Sequence, residues 1–230
     1  VTPHISYGIR GAIWYQGERN SRQISFAKAY SKQLPMMIND WRRRWGQGDF
    51  PFLWAQLPNF KAVNPDPNAP SIWAHTRESM AKTLALPNTG MATTIDIGEA
   101  KDIHPKNKQD VGRRLANWAL AEFYNQEDVP TTGPMYANHK IEGATVRVQL
   151  LYAAGLKAKS GDTVTGFVLA GADKVFHPAT AVVTKDGFVK VTSKAVAKPA
   201  ALRYGWADNP VVNLVNQHNL PATPFRTDDW

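Results

Sequence analysis

Two short stretches of this 230-residue chain carry side chains suited to chemistry on a carbonyl group. The first is Trp14-Tyr15-Gln16-Gly17-Glu18. Gly17 permits a tight turn or a close backbone approach to a ligand. Gln16 offers an amide N–H, a donor suited to an oxyanion hole. Glu18 could orient its neighbours or cap a following helix. The same residues also make a plain strand-to-helix turn, and spacing alone favours that simpler reading. The second stretch holds Asp96, Gly98, Glu99, Asp102, His104 and Pro105. An imidazole two residues from a carboxylate can act as a general base whose tautomer the carboxylate fixes. The competing reading is a helix-capping Asp102 and a loop histidine. Asp96, Asp102, His104 and His75 are potential metal ligands, but no H-E-x-x-H or similar spacing occurs, so no metal is expected. His139, His177 and His218 fall in a region read below as β structure and are assigned structural roles. No G-x-S-x-G elbow, Walker A loop or GxGxxG fingerprint is present.

These residues need elements to position them. Residues 9–15 read as a buried strand leading into the polar cluster 16–20. A helix then begins near Ser21 or Ser25, with Phe26, Tyr30, Leu34, Met37, Ile38, Trp41 and Trp45 recurring every three or four residues. Pro35 predicts a kink or boundary inside it. The run Arg42-Arg43-Arg44 is expected on the solvated C-terminal end, where cations suit the helix dipole. Residues 50–57 form a second strand candidate, and 58–70 a proline- and asparagine-rich loop. Ser71 caps a helix with Ile72, Thr76, Met80 and Leu84 inward. Residues 91–97 are a third strand candidate. A helix over 106–124 follows, with Val111, Leu115, Trp118 and Ala119 or Leu120 inward. Strand–helix alternation predicts a parallel sheet with helices on both faces, whose sites form at the C-terminal strand ends. After about Pro130 the pattern changes. Short β-branched or aromatic runs at 144–151, 163–170, 180–184, 187–192 and 200–206 are separated by glycines, as in a small antiparallel β-domain. The expected division is therefore 1–132, an α/β portion, and 133–230, a small β-sandwich-like domain.

Composition sets further bounds. The apolar share of 43% and charged share of 20% suit a globular protein. The formal net charge is +8, with 16 basic against 12 acidic residues in 1–132 and 11 against 7 in 133–230. The charge is spread without a basic tail, which argues against nucleic acid as partner. No stretch of about 20 apolar residues occurs that would span a membrane. With no cysteine, disulfides, thiolate metal sites and cysteine nucleophiles are excluded. Eight tryptophans allow aromatic contacts to sugars, though core packing accounts better for most.

Taken in order, the motifs resemble the sialate O-acetylesterase family of the SGNH hydrolase class. The resemblance is carried by Ile9 to Asn20, Asp40-Trp41-Arg42, Pro51-Phe52, Gln56-Leu57, Arg77-Glu78 and Asp96-Ile97-Gly98. It continues through Asp102 to Gln109, Val111 to Leu115, Phe167, Phe176, Leu202 to Trp206 and Pro221 to Asp228. It implies a flavodoxin-like α/β three-layer sheet, incomplete in this chain, with a C-terminal small antiparallel β-domain. It implies a Ser-His-Asp hydrolase that needs no cofactor and removes acetyl groups from sugars such as sialic acid or plant polysaccharides, in a secreted or periplasmic setting. His104 would be the base, Asp102 its orienter, and Gln16 an oxyanion donor. Glu18, Gly17 and Asp96 would lie near substrate. The sequence departs from the pattern in three places. The family's Ser-Gly-Gln-Ser-Asn nucleophile segment is absent, and none of Ser6, Ser21, Ser25, Ser31, Ser71, Ser79, Ser160 or Ser193 sits in such a context. An upstream segment, in the same or another chain, is therefore expected to supply it. Arg19 stands where serine is usual. Lys101 occupies the position three before the histidine where the class has aspartate, which makes Asp96 a rival orienter to Asp102. The alternative reading is a non-catalytic carbohydrate-binding protein.

Overall fold

The computed structural model describes all residues except Val1 and Ser6. Its elements are β1 (Ala12–Trp14), α1 (Ile24–Trp45), β2 (Phe52–Ala55), α2 (Ile72–Lys82), β3 (Thr89–Ala92) and α3 (Lys108–Phe123). There follow β4 (Met135–Glu142), β5 (Thr145–Leu151), β6 (Lys157–Ala158), β7 (Phe167–Ala170), β8 (Phe176–Pro178) and β9 (Thr180–Val183). The last are β10 (Val189–Thr192), β11 (Ala201–Tyr204), β12 (Leu214–Val215) and β13 (Phe225–Arg226). The result is a mixed α/β chain with several sheets and few helices. Its contacts gather into two compact units. The first comprises Val1–Leu57, His75–Thr94 and Asn107–Thr132; the second comprises Pro58–Ala74, Ile95–Lys106 and Gly133–Trp230.

In the first unit, β1, β2 and β3 form a parallel sheet in that order. All four residues of β2, Phe-Leu-Trp-Ala, are buried, as expected for a strand covered on both faces. Trp41 of α1 meets Phe52 edge-on at 5.7 Å and Trp14 at 6.0 Å. On the other face, Trp118 of α3 and Leu53 crowd Gly90 so closely that an added Cβ would lie 2.5 Å from the indole. Trp118 is held there by its indole N–H, which donates to the Met91 carbonyl at 2.9 Å.

The 3.6-residue repeat located all three helices, and two local expectations failed. Helix α1 runs unbroken through Pro35. Leu34 and Ile38 are buried on either side of it, and that packing outweighs one lost backbone bond. Arg42 is not solvated: it is buried, and its guanidinium donates to the carbonyls of Phe50, Pro87 and Asn88 at 2.8–3.3 Å. One planar fork therefore satisfies the carbonyls that precede β2 and β3. Gly46 in the left-handed region ends the helix, its N–H returning to Arg42 O. Ser71 caps α2 as expected, its Oγ accepting the Ala74 N–H at 3.0 Å, whereas α3 is capped by Asn107, which accepts the N–H of Asp110.

In the second unit, one sheet has the order β4-β5-β10-β9 and another the order β13-β11-β7-β8, with a β12-β6 ribbon beside them. Val146, Val148, Val189 and Val191 from the first sheet share a core with Phe167, Leu169, Leu202, Tyr204 and Phe225 from the second. Along β10 the buried valines alternate with exposed Lys190, the period-2 pattern of a half-buried strand.

The basic run now contains two physically distinct kinds of arginine. Arg42→Ala should cost about 3 kcal/mol by stranding buried carbonyls. Arg43→Ala, which removes an exposed ion pair with Asp40, should cost under about 0.5 kcal/mol. Urea unfolding midpoints at unchanged slope would check both.

Candidate active site

Gln16, Gly17 and Glu18 belong to the first unit. β1 ends at Trp14, and the chain passes at once into this turn. Gln16 is fixed at both ends of its amide. Its Oε1 accepts the Tyr30 hydroxyl at 2.9 Å, and its Nε2 donates to Asn20 Oδ1 at 3.2 Å. Tyr30 is aligned in turn by the Trp14 indole, which donates to it at 3.2 Å. An amide nitrogen carries two N–H groups, so this arrangement leaves one free to meet an oxygen. Gly17 is buried against Met80 and Leu57, and a Cβ there would lie 2.9 Å from the Met80 methyl. Glu18 folds back to accept the Gly17 N–H at 2.9 Å. Burial and the nearby Glu18 charge push the Tyr15 phenol up to about 12, so it stays neutral, with the Lys108 ammonium 4.8 Å from its ring centre.

Asp96, Asp102 and His104 belong to the second unit, in the irregular segment after β3. The segment is anchored at Gly98. Its N–H donates to Asn59 Oδ1 at 2.7 Å, and a Cβ on Gly98 would fall 1.9 Å from the Asn59 carbonyl. Phe60 and Glu99 pair as a short parallel bridge, and Glu99 accepts the Lys106 N–H at 3.1 Å. Between these anchors, Asp102 Oδ1 accepts the backbone N–H of His104 at 2.9 Å, an Asx turn. The same oxygen lies 3.8 Å from His104 Nδ1, within ion-pair range but beyond a hydrogen bond. The imidazole is 82% exposed. Asp96 approaches Tyr204, whose hydroxyl is pushed above the ordinary phenol range by burial and by that carboxylate. Among the described residues, no three His, Asp or Glu side chains gather around a possible ion position.

Most serine hydroxyls already have structural tasks. Ser21 bonds Thr76 Oγ1 at 2.8 Å and the Gly17 carbonyl at 3.2 Å. Ser79 donates to Ala27 O, Ser31 to Lys28 O and Ser193 to Pro178 O, while Ser71 caps α2. Ser6 lies outside the described residues.

Sequence reasoning missed the partners of the site motifs. Tyr30 reads as one more apolar-face residue of α1, and only its hydroxyl distinguishes it from a core phenylalanine. Asn59 lies in a loop whose composition signals irregularity and nothing more.

A solved structure of a carbohydrate acetylesterase from Xanthomonas citri matches 99% of this chain at 46% identity with a TM-score of 0.93, the match covering 52% of that protein. The sialate O-acetylesterases of Mus musculus and Homo sapiens are 27% and 25% identical over 98% of this chain. The chain spans about half the length of these relatives, 45% and 47% respectively. Residues 3–121 match the family described as carbohydrate esterase, sialic acid-specific acetylesterase. The chain belongs to this family. Among the described residues no helix is long and apolar enough to cross a membrane.

The Gly98 contact provides a direct test of the loop's construction. Gly98→Ala should destabilise the second unit by about 3 kcal/mol, because backbone rather than a flexible side chain blocks the new methyl. Hydrogen exchange should show faster exchange across 95–106, and Gly112→Ala, with nothing near its Cβ and no left-handed backbone, should not.

Proposed function

We propose that this chain is the C-terminal part of a serine carbohydrate O-acetylesterase whose nucleophilic serine lies upstream in a longer polypeptide. The observation that carries the proposal is the solvent-open His104–Asp102 pair, held on an anchored loop in a chain of the carbohydrate esterase family. In this reading His104 Nε2 takes the proton from the serine hydroxyl as its oxygen attacks the acetyl carbonyl. The free N–H of Gln16 donates to the resulting oxyanion. Collapse breaks the ester bond, and His104 returns the proton to the departing sugar oxygen. Water, deprotonated by the same imidazole, then releases acetate. Asp102 turns His104 toward this task, while Glu18 and Gly17 shape the turn that carries Gln16. Asp96 lines the substrate side.

The occupied serine hydroxyls support an upstream nucleophile. The all-parallel β1-β2-β3 sheet supports a flavodoxin-like, three-layer SGNH domain completed by strands laid beside β1. In this reading residues 1–132 form its C-terminal portion and 133–230 a β-sandwich-like accessory domain. Acetylated sugars make the substrate class, and a secreted or periplasmic location follows from where such sugars are met.

In the complete gene product, His104→Ala should lower acetate release at least a thousandfold with unchanged circular dichroism. Equal activity would remove the histidine from the mechanism. Tyr30→Phe, which frees the Gln16 amide, should lower kcat about tenfold while leaving KM close to its original value. A change confined to KM would place Gln16 in substrate binding instead.

A further inference from the structure

Within the second unit, two adjoining hollows of about 420 and 330 Å³ lie between the proline-rich loop 61–71 and the segment 205–211. They share Val63, Asn64, Pro65, Asp66, Ala207 and Asn209 as lining, so they border one another as a two-part groove. The mechanism above uses none of it. We propose that this groove binds the backbone of a neutral oligosaccharide. The substrate would then be an acetylated polymer gripped beside its ester rather than a free acidic sugar. This inference rests on the esterase reading for its catalytic consequence and stands apart from it for binding.

The wall is built in advance of a ligand. The Asn68 side chain pairs with the Phe176 backbone like a strand, donating to its carbonyl at 2.9 Å and accepting its N–H at 2.8 Å. Pro65, Pro67 and Pro70 fix the backbone around this clip. At the far side Asp208 gathers Lys61 Nζ and Ser71 Oγ at 2.6 Å and the Trp73 N–H at 3.2 Å. A wall already ordered costs little entropy when a chain docks.

The lining suits pyranose rings. Val63 and Val211 are 54% and 62% exposed, unusual for β-branched residues at a groove. Half-buried Trp206 lies beside them, its ring steadied by the Arg226 guanidinium 4.9 Å away. These surfaces match the C–H faces of sugars, and the carboxamide of Asn64 suits their hydroxyls. Charge narrows the class. Lys61 is the one cation among the described lining residues, and it is committed to Asp208. Asp66 adds a negative charge with no lining cation to offset it. A sugar carboxylate would find no free lining cation to pair with, the guanidinium groups of Arg203 and Arg226 against Trp206 being shared with Asp228, whereas a neutral chain needs none.

The groove is also joined to the histidine loop. Asn209 Nδ2 donates to the Lys61 carbonyl at 2.6 Å, and its Oδ1 accepts Asn59 Nδ2 at 2.9 Å. Asn59 in turn holds Gly98, as described above. One run of amides thus links the groove floor to the segment that carries His104, so a chain seated in the groove is held by the same framework as the catalytic base.

The test uses the complete gene product and its Val63→Asp/Val211→Asp double variant, with thermal unfolding to show that both are folded. Titration calorimetry with neutral xylo-, manno- and cello-hexasaccharides measures binding without chemistry. Acetate release from the matching acetylated oligomers and from 4-nitrophenyl acetate measures catalysis. The wild type should bind at least one neutral hexasaccharide, and the variant should bind it at least tenfold more weakly. KM for the acetylated oligomer should rise about tenfold, with kcat and the activity on 4-nitrophenyl acetate unchanged. Hexasaccharide binding without any acetate release would sink the esterase reading and leave the groove assignment standing. Failure of the wild type to bind any neutral hexasaccharide, equal binding by the variant, or preference for a sialylated oligosaccharide would overturn it.

Discussion

The second unit's loop architecture depends on a backbone contact that leaves no room for a side chain. At Gly98 the main chain passes so near the Asn59 carbonyl that a methyl group would overlap it, and the Asn59 side chain then takes the Gly98 N–H. Steric exclusion and a hydrogen bond thus act at one point. Together with the Phe60–Glu99 bridge and the Glu99–Lys106 bond, that point frames the Asx turn at Asp102 and the outward imidazole. A histidine on an unanchored loop of this length would sample many orientations, and ordering it would cost conformational entropy.

The first unit meets the same problem in a different way. Gln16 is a half-buried amide whose two ends are both claimed, by the Tyr30 hydroxyl and by Asn20. The indole of Trp14 aligns Tyr30, so a strand, a helix and a turn converge on one carboxamide. Such convergence leaves a side chain few rotamers, so the direction of its remaining N–H is fixed by the fold itself.

Helix periodicity was legible in the sequence because α1, α2 and α3 each bury a stripe at spacings of three and four. The runs at β5, β7, β9, β10 and β11 were legible because β-branched residues cluster between glycines. β4 was not, since Met-Tyr-Ala-Asn-His-Lys-Ile-Glu has no apolar alternation and most of its residues lie at least partly exposed. The burial of Arg42 is not legible locally, because a cation near a helix end satisfies the dipole rule whether or not it is buried. What decides the matter is the set of carbonyls it finds at Phe50, Pro87 and Asn88, up to 46 positions away. The site motifs stood out by residue type, while their supports at Tyr30, Asn59 and Asn209 depend on long-range pairing that no local pattern encodes. The grouping of 58–74 and 95–106 with the C-terminal residues has the same cause: hydrogen bonds from Asn59, Lys61 and Ser71 reach Asp208 and Asn209.

The parallel sheet has a further consequence at its border. β1 pairs with β2 on one side, so its other side presents amide and carbonyl groups to whatever is near. Ile13 there is 71% exposed, above a shallow apolar hollow lined by Leu53, Ala119 and Phe123. Such a border is a template: a strand with a large apolar residue at the right step would gain both a ladder and a socket. These 230 residues, handled alone, would therefore be adhesive toward their own copies and toward unfolded chains.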